Sequence, residues 1–291
     1  MSIYTKQNEE GMLNFLKIQR IVYSKAKRMQ QMYNVGSLVV TIVFIVLTNV
    51  FQSSILWNIS IFSAFLVFIS GILINIYVLR QKTIAAGIQQ RFDIYVLGVP
   101  VSYMGLSVPK TETVIQLGIK YKTHKIEKLE NWYSNYSAFE YEKQVLFCQQ
   151  ENINWDKPLR LTWLWIVASI MTIMSVAILT IGIISNDIHL MFSLFSWLVP
   201  CFVWGIKIIT NLYKDIKRLK ILEQELDGIE LLDKTQAEQK IKDVQQLIWQ
   251  HRIDCYLIPD FLYRINFKKQ QEREDLLAEQ RSKNLIDNES K

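Results

Sequence analysis

Cysteine is scarce in this chain. Only Cys148, Cys201 and Cys255 occur, far apart in 291 residues, which argues against a disulfide-stapled secreted scaffold. Charge is missing in blocks. No Asp, Glu, Lys or Arg occurs from Met29 to Leu79, from Leu161 to Asn186, or from Ile188 to Ile206. Uncharged apolar stretches of 18 or more residues are the mark of membrane-crossing helices. Half of all residues are hydrophobic and only 21% are charged, against a usual ~25% in soluble domains. The composition therefore argues against a soluble enzyme and against a disordered scaffold.

The first uncharged run is too long for one crossing, since a span takes about 20 residues. Its polar patch, Asn49 to Ser54, divides it into a helix from Val35 to Val50 and another from Leu56 to Leu79. Ser185 to His189 divides the later runs into a third helix, Leu161 to Ile184, and a fourth, Met191 to Ile209. The 33 basic residues all fall in the N-terminal segment, the segment from Arg80 to Arg160, and the tail from Lys207. The two short hairpin loops carry none, and of the acids only Asp187 lies there. Basic residues accumulate on the cytoplasmic side of a membrane. The pattern predicts a multi-pass membrane protein with both termini and the middle segment in the cytoplasm. Four buried helices of a large soluble core would not sort their charges this way.

The expected organisation is an amphipathic helix in 1–34, a transmembrane hairpin in 35–80, a cytoplasmic helical domain in 81–159, a second hairpin in 160–210, and cytoplasmic helices in 211–291. In the first segment Met12, Phe15, Leu16, Gln19, Val22 and Tyr23 recur at helical spacing among basic residues. That suits either an interfacial helix or a helix packed on the cytoplasmic domain. Gln81 to Leu97 continues the second span as helix and ends at Gly98-Val99-Pro100; Thr111 to Lys128 leans helical. Ser137 to Glu140 and Thr235 to Glu238 read as capping boxes that start helices. Pro158 marks the approach to the third span, and Pro259 a helix stop. In the tail Ile216, Leu219, Leu222, Leu226 and Ile229 keep a helical period, as do Ile241, Val244, Ile248 and Cys255. Alternating β-branched runs are few. The fold class that follows is an all-α membrane protein with two hairpins under a helical domain.

Catalytic patterns are missing too. There is no phosphate-cradling glycine loop, no Gly-x-Ser-x-Gly and no His-Glu-x-x-His. His124, His189 and His251 are scattered over both sides of the predicted membrane. No metal or catalytic residue is expected, and the chain is not expected to be an enzyme. The spans hold no ionisable interior group of the kind that proton relays and voltage sensors need. They do carry small and mildly polar stripes: Ser37 and Thr41 in the first, Ser60, Gly71 and Asn75 in the second, Thr172 and Ser175 in the third. Such stripes serve close helix packing, or line a pore once several copies assemble. Trp57, Trp163, Trp165 and Trp204 sit near span ends as interface anchors. In the middle segment Lys120, Lys122, Lys125 and Lys128 precede Trp132-Tyr133, with Arg91 upstream. Cations beside aromatic faces suit a nucleotide, or a basic face beside anionic lipid.

Several stretches carry a resemblance. They are Gln7-Asn8-Glu9, Gln19-Arg20, Tyr23 and Ala26-Lys27-Arg28, then Phe92-Asp93-x-x-Val96-Leu97-Gly98-x-Pro100, and then Trp132-Tyr133. They continue with Cys148-Gln149-x-Glu151-Asn152-x-x-Trp155-Asp156-x-x-Leu159-Arg160 and end with Ile258-Pro259-Asp260 and Tyr263. In this order, with spans between them, the chain resembles the SMODS-associated four-transmembrane effector family, pore-forming effectors of bacterial anti-phage systems with a cyclic-oligonucleotide messenger. Val101 and Gln150 depart from the residues common there, Trp and Arg. The resemblance implies a lipid bilayer, copies of the same chain and a cyclic oligonucleotide as partners, with no nucleic-acid polymer and no further cofactor. It implies an effector that disrupts the inner membrane during infection; the alternatives are a membrane-anchored sensor or scaffold without a pore, and a membrane enzyme. Phe92, Asp93, Gly98 and Pro100 are expected to shape the joint below the second span, with Asp93 able to pair with an arginine. Asn152, Trp155, Asp156 and Arg160 stand where the domain enters the third span, and are expected either to transmit a gating motion or to orient the helix.

Overall fold

The computed structural model describes residues 2–99, 109–124, 129–229 and 232–289. Those residues form helices and connecting loops, and no strand occurs among them. The helices are α1 (Ile3–Lys6), α2 (Glu10–Phe51), α3 (Ser54–Leu97), α4 (Thr111–Lys120), α5 (Tyr141–Ser185), α6 (Ile188–Asp227), α7 (Lys234–Asp254) and α8 (Asp260–Glu289).

Four helices of 40 to 45 residues are long and apolar enough to cross a membrane. At 1.5 Å per residue the longest reaches about 68 Å, roughly twice a hydrocarbon core. Each therefore has one part that crosses and another that forms a wall of the polar domain, which comes first in α2 and α5 and last in α3 and α6. Polar residues in the left-handed region turn the chain between spans: Gln52 at φ 45° and Asn186 at φ 49°. Asp187 then caps α6, accepting from the backbone N–H groups of His189 and Leu190 at 2.9 and 3.0 Å. The crossing segments leave Phe62, Phe65, Ile173, Val176 and Phe192 exposed, the surface that lipid covers.

Within each hairpin α2 packs along α3 and α5 along α6; α7 lies against α3, α5 and α6, and α8 against α5. The hydroxyls of the polar stripes turn back on their own helices. Ser37 donates to Asn34 O, Thr41 to Ser37 O, Ser60 to Trp57 O, Thr172 to Ala168 O and Ser175 to Met171 O. Gly71 gives Tyr33 room to approach, and the Tyr33 hydroxyl donates to Val67 O at 3.1 Å.

The apolar face of the N-terminal segment is buried: Met12, Leu16, Ile18 and Val22 are nearly inaccessible, packed in the polar domain. Both predicted capping boxes are corrected. Ser137 lies in a turn, bonded to Asn135, and α5 begins after Glu140. The N-cap of α7 is Asp233, two residues ahead of Thr235, accepting from Gln236 N–H at 3.0 Å. An Asp233→Ala variant is expected to lose about 1 kcal/mol in thermal unfolding, while Thr235→Ala loses less; equal losses would restore the box.

Helix α4 ends at Lys120, short of the predicted Lys128; Lys125, Lys128 and Pro100 lie outside the described residues. Helix α7 stops at Asp254, well before Pro259. Pro158 sits inside α5 instead of ahead of a new helix. A proline there has no N–H for the carbonyl four residues back, and the freed Asn154 oxygen is taken by Arg273 of α8 at 2.6 Å.

Candidate functional site

Where the polar domain meets the spans, a cavity of about 520 Å³ opens among α2, α5, α7 and α8. Its size falls in the range of small-molecule sites. Its outer wall is aromatic. Trp155 stacks on Tyr263 with ring centroids 6.0 Å apart, and Phe267 sits 5.6 Å from Trp155. Arg20 lies between two rings, its guanidinium carbon 5.9 Å from Trp132 and 5.4 Å from Tyr263. It also donates to the Tyr263 hydroxyl at 3.0 Å.

The inner wall is a buried ionic network. Asp93 of α3 is fully buried. It accepts from Arg252 at 2.5 Å, the Tyr133 hydroxyl at 2.8 Å and Gln245 at 3.0 Å. Arg252 also donates to Asn152 Oδ1 at 3.0 Å, and Asn152 donates to the Tyr133 hydroxyl. About two turns nearer the membrane, Arg160 of α5 donates to Asp156 at 2.8 Å, to Asp215 of α6 at 2.6 Å and to Tyr256 O at 3.0 Å. Asp215 takes a further bond from the Tyr256 N–H at 2.8 Å. Despite burial, Arg160 and His251 hold the Asp156 carboxyl well below the usual range.

His251 Nε2 lies 2.8 Å from Asp156, and burial lowers the histidine pKa. The neutral ring then donates from Nε2. Its buried Nδ1 has no hydrogen-bond partner among the described residues. An imidazole nitrogen that lines a cavity and has no partner is a ready acceptor.

The family model for the SMODS-associating 4TM effector domain matches residues 1–280. The chain belongs to that family. No curated protein and no solved structure matches it. As a SMODS-associating 4TM effector, the protein is a multi-pass membrane effector of that system.

Within this effector the expected junction residues Asn152, Trp155, Asp156 and Arg160 all line the cavity. Phe92 and Asp93 stand behind it. Phe92 is edge-on to Trp132 at 6.4 Å and stacked on Tyr133 at 6.3 Å. Gly98 ends α3 at φ 59°, and the adjacent Leu97 carbonyl accepts from Tyr141 at 2.7 Å. Of the expected ligand residues, Trp132 and Tyr133 line the cavity; Arg91, Lys120 and Lys122 do not. Arg91 donates to Thr111 and to Pro109 O. Lys120 lies over Tyr121, and the Lys122 carbonyl accepts from Lys17. Gln150 accepts from Arg281 of α8 at 2.7 Å, so a guanidinium from another helix reaches that position.

Sequence reasoning missed Arg252, His251, Asp215 and the ring of Phe267, and quoted Arg20 and Tyr263 without assigning them to a site. The signal was present for two of them. Asp215 falls in the buried stripe Ile208, Leu212, Leu219, Leu222 and Leu226, and Arg252 falls four residues after Ile248 on the buried face of α7. A lone charge inside an apolar stripe calls for a buried partner.

Proposed function

We propose that this effector permeabilises the bacterial inner membrane when a cyclic oligonucleotide occupies the junction cavity. Both termini lie in the cytoplasm, several copies assemble, and the membrane is disrupted as part of an anti-phage response. The observation that carries the reading is continuity. Helices α2, α5 and α6 line the cavity and run on unbroken as spans. A ligand that binds one arrangement of these helices more tightly shifts the spans with it.

The chemistry of the cavity fits such a ligand. The rings of Trp132, Trp155 and Tyr263 suit bases, Arg20 and Arg264, which lines the same cavity, suit phosphates, and His251 Nδ1 suits a base or sugar donor. The protein acts through this movement and not as an enzyme.

A second reading, a membrane-anchored sensor without a pore, is favoured by the stripe hydroxyls, each bonded to its own helix. Dye release from liposomes carrying the full chain separates the two. Release with one member of a panel of cyclic di- and trinucleotides is expected. Trp155→Ala is expected to raise the half-maximal concentration about tenfold, the value of one lost base stack. Binding without release would favour the sensor, and neither binding nor release would sink the messenger assignment.

A further inference from the structure

A second cavity, of about 210 Å³, lies where the two hairpins meet at the polar-domain end of the spans. Gln30 of α2, Asn75, Leu79 and Lys82 of α3, and Asn211 and Lys214 of α6 border it. Leu79 and Asn75 are exposed on the membrane side. Lys82 stands two residues past Arg80, the charged end of the second span, and Lys214 five residues past the end of the fourth. The cavity is therefore at headgroup depth and open toward lipid.

Its charges are unequally satisfied. The carboxylates are committed: Asp215 to Arg160, Arg218 and the Tyr256 N–H, and Asp254 to Arg218 and Gln250. Arg218 is occupied by those same acids. Lys82 and Lys214 form no ion pair among the described residues. Lys82 is nine-tenths buried, at 9% exposure, and makes one hydrogen bond, to Cys255 O at 2.9 Å. An ammonium has three donors, and a buried charge is costly unless it is paired. The shape, depth and missing counter-charge point to an anion that arrives from the membrane.

We propose that this cavity holds the phosphate of an anionic phospholipid, between Lys82 and Lys214, with the acyl chains descending past Leu79. A headgroup without its own cation fits best, because both protein cations then face an uncompensated phosphate. Basic pockets between transmembrane helices take anionic headgroups for this reason. The bound lipid would fill the seam between hairpins and belong to the resting architecture, independently of any messenger.

The test uses the full chain in neutral detergent, titrated with phosphatidylglycerol, phosphatidylcholine or inorganic phosphate. Thermal unfolding and native mass spectrometry are the readouts. Phosphatidylglycerol is expected to raise the unfolding midpoint and to be retained at one lipid per chain, while the other two do neither. Lys214→Gln, at an exposed position, should fold normally and bind phosphatidylglycerol about fivefold more weakly. Lys217→Gln, exposed on the same helix but outside the cavity, should bind as the parent does. Lys82→Gln should abolish the preference; if it does not fold, Lys214→Gln decides alone. Equal binding of the two lipids, or equal losses at Lys214 and Lys217, overturns the site. Stabilisation by inorganic phosphate matching that by phosphatidylglycerol overturns the lipid as its source.

Discussion

Replacing Arg252 by Met lowers the stability of the polar domain by about 3–5 kcal/mol, the usual cost of breaking a buried ion pair from one side. The reason is what stays behind. Asp93 is completely buried, and without Arg252 its carboxylate keeps only the neutral donors Tyr133 and Gln245. Asn152 loses its guanidinium partner as well. Adding Asp93→Asn to Arg252→Met removes the stranded charge, and the double variant recovers a large part of the loss. The check is thermal or denaturant unfolding of parent, single and double variants in one detergent. A single variant as stable as the parent would mean that water reaches Asp93, and the account of the inner wall would fail.

Glu151 gives the second large effect, read through pH. Burial behind Ser134 pushes its carboxyl up to about 8 from an ordinary 4.5, against the Ser134 N–H bonds that favour the anion, and nearby Glu274 adds repulsion. The folded chain thus holds this proton when the unfolded chain has released it. Stability from the group is complete below about pH 4.5 and is lost as pH rises through 8. Glu151→Gln, which stays neutral, should flatten that decline, with a difference from the parent on the order of 4 kcal/mol across the window. His251 runs the other way: its lowered pKa costs stability as pH falls below about 6.5. Both proteins carry that contribution, so it cancels in the comparison. Parallel pH profiles for parent and variant would place Glu151 in water.

The spans were legible because a bilayer imposes a coarse rule. Uncharged length is all it asks for, and Asn49 to Ser54 and Ser185 to His189 broke the runs where Gln52 and Asn186 turn the chain. Helix starts were less legible. Ser137 and Thr235 carry the right residues in the right spacing, yet Asp233 takes the cap and Ser137 bonds to Asn135. Many local patterns can cap, and packing chooses among them. The cavity was half legible. Its α5 wall reads directly, since Asn152, Trp155, Asp156 and Arg160 are a turn or less apart on one helix. The cationic and aromatic pairing was expected around Lys120 and Lys122, whereas Arg20, Trp155, Tyr263 and Phe267 provide it from α2, α5 and α8. Residues separated by over 240 positions meet there, and no spacing rule reports such a meeting. Asp215 and Arg252 did leave a trace, as charges within apolar stripes.

Order of synthesis gives the contact at Pro158 a further meaning. All four spans are made before α8, and the Asn154 carbonyl has no partner at the proline until Arg273 arrives. The surroundings of Pro158 are therefore completed last, by a residue of α8 that the ribosome releases after all four spans. A chain caught midway would carry its four spans with the proline turn of α5 still unbraced by α8. Bracing of α5 at Pro158 thus follows the making of the spans, so the membrane part and its attachment to α8 are separate steps in time.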